Sequence, residues 1–570
     1  MKLQYTSTEN EMQPRKKWTR DEVAKKVHQF KEDRGEVSQR QFAQQHNIAR
    51  TTLQHWLSRQ SRMSASPEAI TFFESPAGVA FLHRLCVASH LMMTLVNPCG
   101  IEQVGTFLDL AGLGEFIATS YSAHYRYSKE LLKALDTYDD EQRIELVKRL
   151  KDELKRQGNK AKPIILLEDE TFHPEICLVA IEAASNFILV ETYSERRDAE
   201  SWNDAVELGL SGLPVEVVAV NADEGKGLKA HIEKGLGVTH LCELFHVQHE
   251  ISKGTSATLG QRTRAASDSL KKCQEAEDKL KKKKKEAKSE QVTSKLELQL
   301  REAACNVKNK QAHLQEMSHQ QEEMREAVRG LSNSYHPYDL ENGVKRSALQ
   351  VQKDLEACFD KAQRVADEAG LSQRSCKHIE KAKRLKEAMV ATIAFFHTFV
   401  TNRTASLNLD THISDCLNHI LIPLNYLYAC ARKATTADRR NMIKKTIDEL
   451  SERLAGVSAW QTLSESQRVN LEAFAQECAT FFVRSDSQVE GRNGQLSLHH
   501  HGIHRLNSDK LRGLTIIHNH FLRRRHDNTT AAERFFGVPG EDLFEWLLYS
   551  MKLPPRPAQK RSRINSRKVL

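Results

Sequence analysis

Three acidic residues that are far apart in the sequence could form one metal-binding site. Asp169 follows the apolar run 164–167, Asp223 follows the apolar run 215–220, and Glu490 lies in a later, polar segment. Converging carboxylates can hold two Mg²⁺ ions about 3.5–4 Å apart, which activate the attacking oxygen of a phosphodiester reaction and stabilise the leaving one. The pattern predicts such a site if the two runs form neighbouring strands.

The first two acids also have ordinary structural explanations. Side chains alternate along a strand, so Asp169 should point to one face and its neighbours Glu168 and Glu170 to the other, as bystanders. Asp223 lies in "NADEGKG", the kind of polar, glycine-containing loop that ends many strands. Turn formation would explain one such acid taken alone. The functional interpretation depends on two acids at the matching ends of neighbouring strands.

The third carboxylate is expected on a helix late in the chain. Glu490 is the preferred candidate, and Asp486, one turn earlier on the same face, is the weaker one. The structural alternative is a capping box, in which Ser487 starts the helix and Glu490 reaches back to it.

The elements that must position these acids begin at Pro163. Runs 164–167, 176–183 and 187–192 read as three strands, 198–210 as a helix, and 215–220 as a fourth strand. A helix, a short strand "VTHLCE" and another helix follow. The order β-β-β-α-β-α-β-α predicts a mixed five-stranded α/β sheet of the ribonuclease H-like type, with the first and fourth strands side by side.

The N-terminal segment predicts a helix-turn-helix. Ser38 is a plausible helix N-cap, Phe42 and Ala43 face a core, and Asn47-Ile48 forms the turn before a second helix. In such a unit the second helix enters the major groove of DNA. Its outward residues are expected to be Arg50, Thr51, Thr52, Gln54 and His55. A helical hairpin without DNA-binding function is the alternative.

Composition and charge distribution favour a reduced, intracellular, DNA-associated protein. The 570-residue chain has a net charge of +9, of which residues 1–64 carry +6 and residues 551–570 carry +7, leaving an acidic middle. Basic ends indicate contact with a polyanion. The 11 cysteines show no CxxC pair. The apolar region 79–117 contains charged residues and Gly/Pro breaks, which argues against a membrane span.

A long helical region separates the two parts of the predicted core. Residues 255–470 read as helical, with a Lys/Glu-rich coiled-coil or hairpin and one loop-like break at 333–343. The lysine run 281–285 is expected to be a solvated helix face, with DNA contact as the alternative. Cys242, His246 and His249 could indicate zinc, but three ligands on one helical stretch without a CxxC make this the weaker interpretation.

The segment after Glu490 is dense in His, Arg and Asn. Its arginines are expected to contact DNA, and Arg492 and Asn493 are the closest candidates to a scissile phosphate. The histidines 499–501, 504, 518 and 520 remain open between DNA contact and buried, hydrogen-bonded roles. The expected DNA-contacting residues here are Arg492, Asn493, Arg523, Arg524 and Arg525.

Together these segments resemble a DDE-type transposase of bacterial insertion sequences. The matching motifs are "LLEDETFH", "VNADEGKGLKAHI" with "HLCELFHVQHE", and "SDSQVEGRNG" followed by "HHHGIHRL" and "NTTAAERFFG". The resemblance implies a ribonuclease H-like core interrupted by a helical insertion, with Asp169, Asp223 and Glu490 as catalytic metal ligands. Many such relatives carry Cys or Asp, two residues and then His after the fifth strand, whereas Cys242 and His246 have three residues between them.

The resemblance further implies two Mg²⁺ ions, for which Mn²⁺ is expected to substitute, and double-stranded DNA at element ends and target. It also implies a homodimer or higher oligomer on DNA, no membrane, and a bacterial cytoplasmic, nucleoid-associated location. Two alternatives remain: a repressor or domesticated DNA-binding protein with an inactive core, and a nuclease or integrase of the same fold. The expected segments are 1–64 (helix-turn-helix), 65–160 (helical, either a linker or a second DNA-binding unit), 161–254 and 471–550 (core), 255–470 (insertion) and 551–570 (basic, disordered tail).

Overall fold

The computed structural model describes residues 18–60, 63–172, 174–485, 487–503, 506–554 and 556–557. The chain forms two compact units, one of Met1–Glu153 with Gly494–Leu570 and the other of Leu154–Asn493. The candidate Asp486 lies outside the described residues, as do His504 and residues 558–570 of the tail.

Three short helices near the N-terminus enclose a small apolar core. The helix N-cap predicted at Ser38 is confirmed, because Ser38 and Gln41 form a reciprocal capping box. Asn47 adopts a left-handed backbone, with φ of 52°, at the predicted turn. Phe42 and Leu53 are fully buried. The geometry is that of two short helices joined by a tight turn. The bounds are α1 Arg20–Glu32, α2 Gln39–Gln45 and α3 Arg50–Gln60.

The predicted helical character of residues 65–160 is confirmed. The helices are α4 Pro67–Phe73, α5 Pro76–His90 with a π-helical continuation Leu91–Val96, α6 Ile101–Leu110 and α7 Tyr121–Arg156. The segment Pro76–Val96 is the one helical stretch among the described residues that is long and apolar enough to cross a membrane. Half of its most apolar window is buried inside the protein.

The second unit contains a mixed five-stranded sheet with the predicted neighbour relations. The spatial order is β3-β2-β1-β4-β5, in which β1–β2 and β2–β3 are antiparallel while β1–β4 and β4–β5 are parallel. The first and fourth strands therefore lie side by side, as expected. The bounds are β1 Lys162–Phe172, β2 Ile176–Glu182, β3 Ile188–Ser194, α8 Ala199–Leu210, β4 Val215–Ala222, α9 Lys226–Ala230 with a π-helical continuation His231–Leu236, and β5 Thr239–Cys242.

The end of the first strand differs from the prediction. We expected the strand to end near Leu167, but β1 continues to Phe172 because it forms a hairpin with β2, in which Asp169 pairs with Val179. The parallel partner β4 ends earlier, at Ala222, opposite Glu168. Asp169 is thus the first residue of β1 beyond the parallel pairing.

Residues 255–470 are largely helical, as predicted, and the helix expected directly after β5 is continuous with the first helix of this region. α10 starts directly after β5 and forms a long antiparallel hairpin with α11. In the lysine run, Lys281 pairs with Glu277, and Lys284 pairs with Glu297 of α11, as expected of a solvated helix face. The bounds are α10 Leu244–Glu286, α11 Glu290–Ser334, α12 Ala348–Glu368, α13 Gln373–Arg384, α14 Lys386–Ser406, α15 Thr411–Cys416 with π-helical Leu417–Leu421, α16 Ile422–Lys433, α17 Ala437–Ala455, α18 Ser458–Gln461 and α19 Glu465–Thr480.

The last helices follow the insertion: α20 Ser487–Ile503, α21 Ser508–His520, α22 Ala531–Phe536 and α23 Leu543–Ser550. The start of the basic tail is packed rather than disordered. Arg556 forms an ion pair with the buried Glu74, which Arg20 also approaches at 3.6 Å. A buried carboxylate requires such partners, so Arg556 is not available to a phosphate.

Candidate active site

Asp169 and Asp223 lie side by side at one edge of the parallel strands. The register pairs Glu168 with Ala222, the last residue of β4. Asp169 is the next residue of β1, and Asp223 directly follows β4. Burial, followed by the charges of Asp223 and Glu243, raises the pKa of Asp169 to about 6, while the nearby His246 opposes that rise. The structure therefore brings the first two predicted acids together, in surroundings that raise the pKa of Asp169.

Asp223 also has the turn role that its sequence context indicated. Its Oδ1 accepts a hydrogen bond from the Gly225 backbone N–H at 2.7 Å. A Cβ at position 225 would lie 2.8 Å from that oxygen, which explains the glycine. The bond uses one of the two carboxylate oxygens, so turn formation and metal ligation by Asp223 are compatible.

A third acid, Glu243, lies at the same edge of the sheet as Asp169 and Asp223. It was not predicted from the sequence. It follows β5 directly, and its side chain is buried. His246 Nε2 lies 2.9 Å from Glu243 Oε2, and this bond, with the charges of Glu243, Asp223 and Asp169, raises the pKa of His246. Three adjacent parallel strands thus each deliver one carboxylate to the same edge.

The spacing of Glu243 and His246 bears on the motif in which Cys242 was compared with His246. Glu243 and His246 are separated by two residues, the interval that Cys242 and His246 lack. Cys242 is buried, its sulfur near the backbone carbonyl of Leu385, and His249 stacks on Phe245. Among the described residues, Cys242, His246 and His249 do not form a close donor set, so the zinc alternative at this position is not supported.

Helix α20 reaches the acids through Asn493. Its Nδ2 donates to Asp169 Oδ2 at 2.8 Å. The preceding residue, Arg492, is buried and forms a two-bond ion pair with Glu191 of β3, at 2.7 Å and 2.5 Å. This corrects the DNA contact expected for Arg492, because its guanidinium fixes the helix against the sheet. Asn493, by contrast, lies at the site as expected.

Glu490 is exposed one helical turn before Asn493 and on the same face of α20. Ser487 is itself the first helical residue, so it does not occupy the N-cap position that the alternative capping box requires. Within the described part of the chain, Asp169, Asp223 and Glu490 are not a set of donors within 4.8 Å of one another. Glu490 is adjacent to the site rather than assembled into it.

Glu168 and Glu170 point to the face of β1 opposite to Asp169, as predicted. Glu170 accepts a hydrogen bond from Trp202 Nε1 at 3.2 Å and pairs with Arg197 at 3.2 Å. Glu168 is fully buried 3.5 Å from His231 Nε2. Both contacts involve the elements that follow β3 and β4, so neither acid shares the site of Asp169.

The residue types at this edge fit a divalent cation with oxygen ligands. Asp169, Asp223 and Glu243 supply hard carboxylate oxygens, although among the residues that the structure describes these three, like Asp169, Asp223 and Glu490, are not a set of donors within 4.8 Å of one another. Mg²⁺ and Mn²⁺ prefer such ligands. A cation between Asp169 and Asp223 would offset the burial and the Asp223 charge that raise the pKa of Asp169.

The other predicted DNA-contacting residues fall into two groups. In helix α3, Arg50, Thr51, Gln54 and His55 are exposed and Thr52 is half-buried, and their contact with DNA stays a prediction. In the C-terminal segment, the three consecutive arginines 523–525 are exposed. Arg523 pairs with Glu533 and Arg524 pairs with Asp527. His520 is largely buried 3.2 Å from Asp139, which supports a structural role for this histidine.

Comparison with known proteins assigns no activity. Residues 417–563 match a family described as "Family of unknown function (DUF6399)", a match that covers about a quarter of the chain. No curated protein and no solved structure matches the chain.

Proposed function

We propose that this protein is a DDE-type DNA transposase with a ribonuclease H-like core. The observation that carries the proposal is the position of Asp169 and Asp223, side by side beyond the parallel pairing of β1 and β4, with Asn493 of the helix after the insertion bonded to Asp169. The strand order and the long helical insertion before α20 support the same assignment.

The carboxylates would hold two Mg²⁺ ions, or Mn²⁺ in their place. Asp169 and Asp223 are the shared ligands, and the third is Glu490, as the resemblance implies, or Glu243, which is buried and whose charge acts on Asp169. When bound, the ions supply an activated oxygen nucleophile and stabilise the leaving oxygen in phosphodiester cleavage and transfer.

The chain's own residues prepare this site in three ways. Asn493 holds one oxygen of Asp169, which fixes the orientation of the carboxylate. His246 bonds Glu243, and this bond together with the neighbouring acids raises the pKa of His246. The Arg492–Glu191 pair anchors α20 to β3, which keeps Asn493 of α20 next to Asp169.

DNA recognition is assigned to the N-terminal helices. The exposed face of α3 presents Arg50, Thr51 and Gln54, side-chain types that contact base edges and phosphates in the major groove. Pairing two element ends requires two copies of the chain, so the active form is a homodimer or a larger assembly on double-stranded DNA. A cytoplasmic, nucleoid-associated location follows from that substrate.

A second candidate is a DNA-binding regulator whose core is inactive. The exposed Glu490 and the turn role of Asp223 favour it, since both acids can be explained without a metal. A nuclease or integrase of the same fold would use the same site on another nucleic-acid structure.

Strand cleavage on DNA that carries the ends of the encoding element separates these candidates. Wild-type protein with Mg²⁺ should produce a nick with a free 3′-hydroxyl at the element end. Asp169→Asn should bind the same fragment with unchanged affinity and leave it intact. Binding without cleavage by the wild type would support the regulator, and cleavage by Asp169→Asn would refute the assigned site.

A further inference from the structure

Two helices of the unit formed by Met1–Glu153 and Gly494–Leu570 bring three metal-ligating side chains together. Cys86 and His90 lie one turn apart on α5, and His124 lies near the start of α7. The Cys86 sulfur and one ring nitrogen of each histidine are all within 4.8 Å of one another, and all three side chains are fully buried. These residues are separate from the carboxylate site and play no part in the proposed function.

The histidine pair is not fully satisfied by the protein. His90 Nε2 lies 2.9 Å from His124 Nδ1, so one hydrogen bond links the two rings. His90 Nδ1 is buried without a hydrogen-bond partner in the structure. Leaving a buried polar atom unpaired costs about 1–3 kcal/mol. A fully buried Cys-His-His group therefore destabilises the fold unless it binds a ligand such as a metal ion.

Two further buried polar groups lie at the cluster. His124 Nε2 is also without a hydrogen-bond partner, since the bond to His90 uses its Nδ1. The Tyr127 hydroxyl lies beside the Cys86 thiol, one helical turn beyond His124.

The backbone next to the cluster is also irregular. The α-helical hydrogen-bond pattern of α5 changes at His90 into the π-helix Leu91–Val96, and Thr94 Oγ1 donates to the His90 carbonyl at 2.8 Å. π-Helical insertions are rare and occur frequently at functional sites. Here the change starts directly after a candidate ligand.

The geometry points to a buried zinc site with Cys86, His90 and His124 as protein ligands. One sulfur and two imidazole nitrogens without a carboxylate suit Zn²⁺, which prefers a tetrahedral set of such ligands. Mg²⁺ requires oxygen ligands and is not a candidate. Binding releases the Cys86 thiol proton to solvent, and the bound ion joins α5 to α7.

Metal analysis of the full-length protein tests this site. Protein purified without chelator should contain about one zinc ion per chain, and replacement by Co²⁺ should produce the visible bands of a tetrahedral site together with a sulfur-to-cobalt charge-transfer band. Cys86→Ser should lose that charge-transfer band and most of the zinc. His90→Asn should lose most of the zinc as well.

Matched controls come from the same region of the chain. Cys99→Ser and His83→Asn change one cysteine and one histidine of this unit that are not in the cluster, and both should retain the full zinc content. Chelation of the wild type should lower its melting temperature, with recovery on adding Zn²⁺ but not Mg²⁺. Wild-type protein without stoichiometric zinc or cobalt binding, or Cys86→Ser with unchanged zinc and spectrum, would overturn the inference.

Discussion

Replacing Asp169 by Asn should stabilise the folded protein while removing its activity. The pKa of Asp169 is raised from 3.8 to about 6, chiefly by burial and secondarily by Asp223. A raised folded-state pKa means that the folded state binds the proton more tightly than the unfolded chain does. Wild-type stability therefore decreases as pH rises from about 4 to about 6, and the full deficit is present above pH 6.

The size of this effect follows from the shift. About 2 pKa units correspond to about 3 kcal/mol, an upper limit because the carboxylate retains some solvent contact. The unit Leu154–Asn493 has about 340 residues, so an unfolding entropy of about 2.1 cal/mol/K per residue converts this to about 4 °C in melting temperature. The neutral Asn can still accept the Asn493 hydrogen bond, so this contact need not be lost.

Thermal unfolding in EDTA between pH 4 and 8 measures the effect. Asp169→Asn should match the wild type near pH 4 and exceed it by up to about 4 °C at pH 7.5. Asp204→Asn, at an exposed position in the same unit, should behave as the wild type at every pH. Added Mg²⁺ should stabilise the wild type and have little effect on Asp169→Asn. A variant that is equally or less stable at pH 7.5, or an unchanged pH dependence, would refute the reasoning.

Three further predictions concern the surroundings of the site and the DNA-binding face. Glu191→Gln should destabilise the protein by about 3–5 kcal/mol in urea unfolding, because it removes the negative charge that Arg492 faces in a buried ion pair; a loss below 1 kcal/mol would show that the pair does not anchor α20. Glu243→Gln should weaken Mn²⁺ binding in calorimetric titration more than Glu490→Gln does, because Glu243 is buried beside the acids and Glu490 is exposed; the reverse order would assign the third ligand to Glu490. Arg50→Ala should weaken DNA binding and lower the salt slope by about 1 if it contacts a phosphate; unchanged affinity and slope would exclude α3 from the interface.

The sheet was largely predictable from local patterns. Apolar runs of strand length with polar breaks gave the element order, and that order places β1 beside β4. The end of β1 was not predictable in the same way, because the residues after Leu167 are acidic and read as a loop. Their pairing with β2, from Glu168 to Phe172, keeps them in the strand.

The site was only partly predictable. The sequence did contain a signal for Glu243, because this acid directly follows the strand β5 just as Asp223 directly follows β4. Asn493 and Arg492 illustrate the limit: their partners, Asp169 and Glu191, are more than 300 residues away, and no periodicity within α20 distinguishes a residue that contacts the sheet from one that contacts DNA.

The N-terminal cluster shows the same limit. Cys86 and His90 have helical i, i+4 spacing that can be seen in the sequence, but His124 comes from a different helix and completes the set only after packing. A search for CxxC pairs does not detect such a group. The grouping of residues after Gly494 with the N-terminal region likewise depends on long-range contacts.

In the proposed site, Asp169 and Asp223 together bind a divalent metal. Anomalous scattering from a crystal soaked in Mn²⁺ tests this binding. A peak is expected between the two aspartates, within about 2.5 Å of a carboxylate oxygen of each, with Glu243 or Glu490 as the next ligand. A crystal in which Mn²⁺ binds elsewhere, while the two aspartates carry no peak, would contradict it.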